Sequence, residues 1–198
     1  MTDFGDKTSG DSPLLVMEDS VYASAFTMGA INGTSTSITA TVSNWFGGGA
    51  TVFKCVICDS SKNVLAVSDE GNLPTGLDWV TVNITCNLTA SATYYLCVWC
   101  DAFTILGYDS SGGPGIVYQT EPYDASITDP LTLGSTYDAN GSLNIYCTYT
   151  ETGGESAPEE GLKAGEISMD TTKYFGNRVY VDLTEYGVEV RAKIINQG

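Results

Sequence analysis

The chain has 198 residues, 24 acidic and 8 basic side chains, a net charge of −16 and no histidine. This charge excludes nucleic acid as a partner, because binding it depends on neutralising phosphates with Lys and Arg. The lack of histidine removes the commonest general base and the usual Ser/His and Cys/His nucleophile arrangements. No apolar stretch approaches the ~18 residues of a membrane span, and the polar, acidic start (1–10) predicts no secretory signal.

Strands and turns are favoured over helices by the prominence of Gly, Thr, Ser, Val and Tyr. Short apolar or alternating runs follow one another, each bounded by turn residues, and they predict strands at 21–28, 37–45, 51–59, 63–69, 78–88, 93–101 and 142–150. The run at 93–101 is apolar on both sides, as is typical of a central strand covered on both faces. The pattern predicts an all-β fold, an antiparallel β-sandwich of jelly-roll type over residues 1–150.

A long irregular insert is predicted at 102–141. Loops of this length are usually functional or disordered, and this one is too rich in tyrosine for a plain disordered linker. Aromatic rings suit stacking on sugars, so the rings either contact carbohydrate or pack the insert onto the sheet. The candidate ligand-binding residues are Trp45, Tyr108, Tyr118, Tyr123 and Tyr137.

The end of the chain differs in composition from the rest. Residues 151–165 are predicted to be a linker, rich in Gly, Ser, Pro and Glu. Residues 161–198 hold five basic and five acidic groups, which leaves the whole net charge of −16 on residues 1–160. Residues 166–198 contain two alternating runs around a Glu-Tyr-Gly turn and predict a small C-terminal β-hairpin, whose apolar face includes Val179, Val181, Leu183, Val188, Val190 and Ile194.

This hairpin has more apolar surface than two strands can bury between themselves. Burial is worth roughly 1.5–3 kcal/mol for each side chain of this size. The hairpin therefore either packs onto its own sandwich or docks on another subunit. Its neutral, mixed-charge outer face favours docking between bodies that otherwise repel, so we expect an assembly element and a homo-oligomer.

Six cysteines include two C-x-x-C pairs, Cys55/Cys58 and Cys97/Cys100. Such pairs suggest zinc, but residues i and i+3 of a strand point to opposite faces. Buried free thiols are therefore expected, with no metal or cofactor. The alternative is a disulfide among Cys58, Cys86, Cys100 and Cys147.

Acidic residues at strand ends and in the insert offer the hard oxygen ligands that Ca²⁺ prefers. They are Asp59, Asp101, Asp109, Asp124, Asp129 and Asp138. Their spacing does not match a calcium loop, so a solvated acidic rim is the preferred interpretation and calcium the alternative. No catalytic residues are assigned, since with 24 carboxylates a glycosidase-like pair always exists somewhere. The chain is expected not to be an enzyme.

The order of several segments resembles a known module. They are FGDKTSG (4–10), TSTSITATVSN (34–44), KCVICDSS (54–61), GLDWVTVNI (76–84), LTASATYYLCVWCD (88–101), YDSSGGPG (108–115), DPL (129–131) and SLNIYCTYT (142–150). Over about residues 4–150 this order resembles a jelly-roll module of tailed-phage structural proteins and of secreted, multidomain bacterial surface proteins. The resemblance implies a non-catalytic surface, adhesion or carbohydrate-contacting unit.

The expected function is therefore that of a structural protein in a large assembly. We expect a phage virion, with the chain as a capsid decoration protein or a tail or fibre subunit, synthesised in the host cytoplasm. The alternative is a carbohydrate-binding or adhesion module at an extracellular surface.

Overall fold

The computed structural model describes residues 1–10, 12–44, 52–123 and 126–152. These residues form strands and turns and no helix, which confirms the all-β prediction. The strands are β1 (Thr2–Gly5), β2 (Ser12–Val16), β3 (Ser20–Thr27), β4 (Gly33–Asn44), β5 (Val52–Asp59), β6 (Val64–Val67), β7 (Gly71–Asn72), β8 (Asp78–Asn83), β9 (Asn87–Leu88), β10 (Thr93–Cys100), β11 (Thr104–Asp109), β12 (Ile116–Thr120), β13 (Ser135–Asp138), β14 (Ser142–Leu143) and β15 (Ile145–Glu151).

Two antiparallel sheets pack face to face as a β-sandwich. Four strands of the first sheet lie in the order β2-β11-β4-β8, and four of the second in the order β3-β10-β5-β6. The chain passes repeatedly between the sheets in this arrangement, as it does in an eight-stranded jelly roll. In addition, β12 and β13 extend the second sheet beyond β3, while β15 and β1 lie along the N-terminal half of β4.

The main core lies between the sheets and follows from period-two alternation. Ile38, Ala40 and Val42 of β4 point inward and are buried against Leu96 and Val98 of β10 and their neighbours. Polar residues of β4 alternate with them on the outer face, where Thr39 and Thr81 form a 2.8 Å hydroxyl hydrogen bond. Thr39, Thr41 and Ser43 on that outer face are also buried, so this part of β4 is covered on both sides.

A second apolar cluster lies on the outer face of the second sheet. Cys97 and Trp99 of β10 point outward there, and residues 121–123 and 126–134 cover them, with Leu131 and Leu133 buried in the contact. This covering segment accounts for the apolar residues on both sides of β10. The predicted irregular insert is therefore only partly irregular, because it also contains β11, β12 and β13.

Two predicted strands are interrupted by hydrogen bonds to neighbouring segments. The run at 78–88 breaks between β8 and β9, where the Ser35 hydroxyl donates to the Ile84 carbonyl at 3.1 Å and accepts from the Cys86 N–H at 2.7 Å. The run at 142–150 breaks at Asn144. Its N–H donates to the Gly107 carbonyl and its carbonyl accepts from the Thr41 N–H, each at 3.0 Å, so three strands meet at this residue.

Candidate functional site

Three of the predicted ligand-binding tyrosines come together at one edge of the sandwich. Tyr118 of β12 stacks on Tyr22 of β3, with ring centroids 5.1 Å apart and planes 10° apart. Tyr108 of β11 contacts Tyr137 of β13 edge-on at 6.0 Å. We call Tyr22, Tyr108, Tyr118 and Tyr137 the tyrosine cluster; its members belong to both sheets.

The four side chains of the cluster differ in solvent exposure. Tyr22 is buried, Tyr108 and Tyr118 are half-buried against the main core, and Tyr137 is 46% exposed. Tyr137 lies at a register shift between β12 and β13, since Ile116 pairs with Asp138 while Val117 pairs with Thr136. A bulge of this kind re-aims a side chain, and it brings the Tyr137 ring across the sandwich edge to Tyr108 of the other sheet.

Two phenol groups of the cluster, those of Tyr22 and Tyr137, have raised pKa values. Burial, with Tyr118 close by, raises the pKa of Tyr22. Burial and a hydroxyl hydrogen bond with Tyr108 raise the pKa of Tyr137. The flat apolar ring of a tyrosine can stack on a sugar, and its neutral hydroxyl can hydrogen-bond the sugar hydroxyls.

Tyr123 lies apart from the cluster, over the outer face of the second sheet. Its ring packs on Trp99 with centroids 4.8 Å apart. The Lys54 ammonium lies 4.9 Å from the Tyr123 centroid and 3.6 Å from Glu70 Oε1. Burial and the neighbouring Glu70 carboxylate raise the pKa of Tyr123. Tyr123 therefore packs the covering segment onto the sheet.

No protein-family model matches the chain, and no curated protein does. The described residues also contain no helix long and apolar enough to cross a membrane.

The cysteines divide between the two faces of the second sheet, as the strand periodicity predicts. Cys55 and Cys100 lie in the main core, whereas Cys58 and Cys97 lie in the outer cluster. Each C-x-x-C pair is therefore split, and its sulfurs cannot converge on one zinc ion. All six thiols are free, as expected, and five are buried. Burial raises the pKa of Cys100 and of Cys147 to about 12.

Most of the acidic residues considered for calcium act as local caps. Asp59 accepts from the Asn63 side-chain amide and from the backbone N–H groups of Ser61 and Asn63. These hydrogen bonds, that of the Asn63 side chain first, hold the pKa of Asp59 below its usual value. The carboxylates of Asp101, Asp129 and Asp138 accept from backbone N–H groups of Val52, Val64, Asn140 and Gly141. Among the described residues no group of three or more Asp, Glu, Cys or His converges.

Asp109 differs from the others, because it meets a second carboxyl. Thr8 Oγ1 lies within hydrogen-bond reach of both Asp6 and Asp109, and its single proton is donated to one of them at a time. Burial raises the pKa of Asp6, but hydrogen bonds with Thr8, Ser142 and Asp109 outweigh it, and the net shift is downward. The Asn144 amide nitrogen lies 3.2 Å from Thr8 Oγ1 and 3.4 Å from Asp109 Oδ2. We call Asp6, Thr8, Asp109 and Asn144 the carboxyl-pair site.

Several predicted residues lie outside the described residues: Trp45, Asp124, residues 153–165 of the linker, and the hairpin positions Val179, Val181, Leu183, Val188, Val190 and Ile194. Conversely, Tyr22, Asp6 and Asn144 were not predicted as site residues. Tyr22 occupies an ordinary strand position, and only the pairing of β3 with β12 brings it opposite Tyr118. No sequence signal joins Asp6 to Asp109, because they are far apart along the chain.

Proposed function

We propose that the chain is a non-enzymatic structural protein of a large assembly, a phage virion, in which it acts as a capsid decoration protein or a tail or fibre subunit. The jelly-roll body is the displayed part, and residues 166–198 are the element that attaches it to neighbouring subunits. The resemblance of residues 4–150 to modules of tailed-phage structural proteins supports the choice of a virion.

The observation that carries this proposal is the one-sided apolar pattern of residues 179–194. Among the described residues, strands of both sheets form the inner core, and residues 121–123 and 126–134 cover the second apolar cluster. The sequence of 179–194 adds a further apolar face to the chain. An apolar hairpin face needs a partner surface, and a second subunit of the assembly provides one.

The distribution of charge also supports a displayed body with a separate attachment element. The net charge of −16 lies on residues 1–160 and keeps crowded copies soluble by mutual repulsion. The hairpin region is neutral, so contact through it avoids most of that repulsion. A displayed acidic body with a neutral attachment element suits a subunit present in many copies.

The test is the mass of the full chain in solution and its presence in particles. We expect light scattering to show an oligomer and mass spectrometry to find the chain in purified virions. Val181→Asp places a charge on the apolar face and should reduce both, as should removal of residues 161–198. Asp182→Asn is the matched control on the alternate face. A monomeric wild-type chain that is absent from particles, or variants with unchanged mass and incorporation, would contradict the proposal.

A carbohydrate-binding or adhesion module is the second candidate, and the tyrosine cluster favours it. Tyr137 exposes nearly half of its surface beside the ring of Tyr108. Glycan-array binding by the full chain should fall strongly in Tyr137→Ala and persist in Tyr137→Phe, because stacking needs the ring. A wild-type chain that binds no glycan, or equal binding by Tyr137→Ala, would count against this function.

A further inference from the structure

We propose that Cys58 of β5 and Cys97 of β10 are a redox-sensitive thiol pair, which closes to a disulfide when the folded protein meets an oxidising small disulfide such as oxidised glutathione. This inference is independent of the proposed function. Both thiols are free, so the structure shows the pair in its reduced state.

The pairing of β5 with β10 places the two cysteines on the same face of neighbouring strands. Cys58 lies opposite Tyr95 and Cys97 lies opposite Val56, so the cysteines occupy diagonal positions. That face is the outer one, where both side chains are fully buried in the second apolar cluster. Diagonal neighbours are farther apart than residues directly opposite each other, so the register alone does not bring the sulfur atoms together.

A hydrogen bond between the two thiols shows that the side chains do meet. The Cys97 thiol is hydrogen-bonded with that of Cys58, and the Cys97 Sγ atom also lies 3.8 Å from the Tyr95 carbonyl oxygen. A disulfide requires a sulfur–sulfur distance of about 2.0 Å. Thiols that already touch have a short approach to that distance, and the strand pairing need not change.

Two other cysteines of the same strands provide a comparison. Cys55 lies opposite Val98 and Cys100 lies opposite Phe53, so they occupy an equivalent diagonal on the inner face. Both belong to the main core, and the Cys100 thiol is hydrogen-bonded to Thr104. The two diagonals therefore share a spacing, but they differ in hydrogen bonding and in what covers them.

The cover over the outer pair can open locally. Strands of both sheets close the main core, whereas the covering segment closes the outer cluster. Gln119 Oε1 holds that segment by accepting from the N–H groups of Thr132 and Leu133 at 2.6 and 2.8 Å. Opening the segment exposes the outer thiols without separating β5 from β10, and such local opening costs less than global unfolding.

Oxidation proceeds by two successive thiol–disulfide exchanges. Burial raises the pKa of the Cys97 thiol, so the closed cluster keeps it protonated and unreactive. In the open state one cysteine loses its proton to the buffer, and its thiolate attacks one sulfur of oxidised glutathione and releases one glutathione thiolate. The thiolate of the second cysteine then displaces the second glutathione. The protein loses two electrons and two protons, and one oxidised glutathione becomes two reduced molecules.

The test uses the full, folded chain and oxidised glutathione at mildly alkaline pH. A urea-unfolded sample in the same reagent sets the incubation time, since all of its thiols are accessible. We expect the folded chain to lose the mass of two hydrogen atoms, and tandem mass spectrometry without reductant should place the new bond between Cys58 and Cys97. Gln119→Met should speed its formation, because it loosens the covering segment.

Two variants of β5 distinguish the outer pair from the inner one. Cys58→Ala should abolish the bond and leave a glutathione adduct on Cys97, whereas the matched control Cys55→Ala should still form it. The proposal is overturned if Cys58 and Cys97 of the folded chain stay reduced, or if the bond joins another pair. Equal loss of the bond in Cys55→Ala and Cys58→Ala would also overturn it.

Discussion

The indole nitrogen of Trp99 donates to the backbone carbonyl of Glu121 at 3.0 Å. Trp99 belongs to the central strand β10 and is 1% exposed, while Glu121 begins the segment that covers the outer face of the second sheet. This bond therefore anchors the covering segment to the central strand β10. Tyr123, two residues further on, adds its ring to the same side chain.

Trp99→Phe should destabilise the protein, because it keeps a ring in the cluster but leaves the Glu121 carbonyl without its donor. We expect the free energy of unfolding to fall by about 1–3 kcal/mol, the cost of an unsatisfied buried polar group, in urea denaturation. Trp79→Phe is the control. Trp79 is half-buried and packs on Tyr146, a neighbour within the first sheet, so Trp79→Phe should cost clearly less stability. Equal costs would show that the hydrogen bond does not matter.

Gln119→Met should open the covering segment locally. The Gln119 Oε1 atom accepts from the N–H groups of Thr132 and Leu133 at 2.6 and 2.8 Å. Methionine has a similar length but offers no strong acceptor. Hydrogen exchange should therefore accelerate at the Thr132 and Leu133 amides, while the Leu96 amide in β10 keeps its protection. Unchanged exchange at 132 and 133 would contradict this role of Gln119.

Gly71→Ala should overpack the main core. A β-carbon at Gly71 would lie 2.6 Å from a Phe53 ring carbon and 2.7 Å from a Val82 methyl carbon. Phe53 is fully buried, so its ring has little room to move, and we expect a loss of about 1–3 kcal/mol in stability. At Gly76 nothing lies within 4 Å of such a β-carbon. Gly76→Ala should leave the thermal midpoint nearly unchanged, and a similar drop in both variants would refute the packing argument.

Alkaline pH should destabilise the protein through its buried thiols. Burial raises the pKa of Cys100 and Cys147 to about 12 from an ordinary value of 9.0. The folded chain therefore holds protons that the unfolded chain releases above pH 9. The stabilisation is complete below that pH and is lost as the pH rises towards 12, with a slope of up to about 1.4 kcal/mol per pH unit for each thiol.

Urea denaturation between pH 8 and 11 measures this dependence. Cys100→Ala should be less stable throughout, since it leaves a cavity, but its stability should fall less steeply with pH. Thiol-labelling reagents should modify Cys86, which is half-buried, before any other cysteine. An equal slope in the variant, or early labelling of Cys100, would contradict this assignment.

The amino-acid pattern by itself determined the class of fold and most of its strands. Alternation decided which side of β4 faces the core, and the continuous apolar run of β10 indicated a strand covered on both faces. Because i and i+3 lie on opposite sides of a strand, the same periodicity also predicted that neither C-x-x-C pair could close on one ion. These results depend on contacts between near neighbours in the chain or on the period of a single strand.

Only the tertiary structure decided what covers β10 and which side chains meet. The sequence of the covering segment has no strand periodicity, and the hydrogen bonds of Glu121 to Trp99 and of Thr132 to Gln119 depend on where β12 lies. Tyr22 meets Tyr118, and Asp6 meets Asp109, through strand pairings between distant segments. Such pairings are chosen by the packing of the whole sandwich, and a single strand's pattern carries no record of its partner.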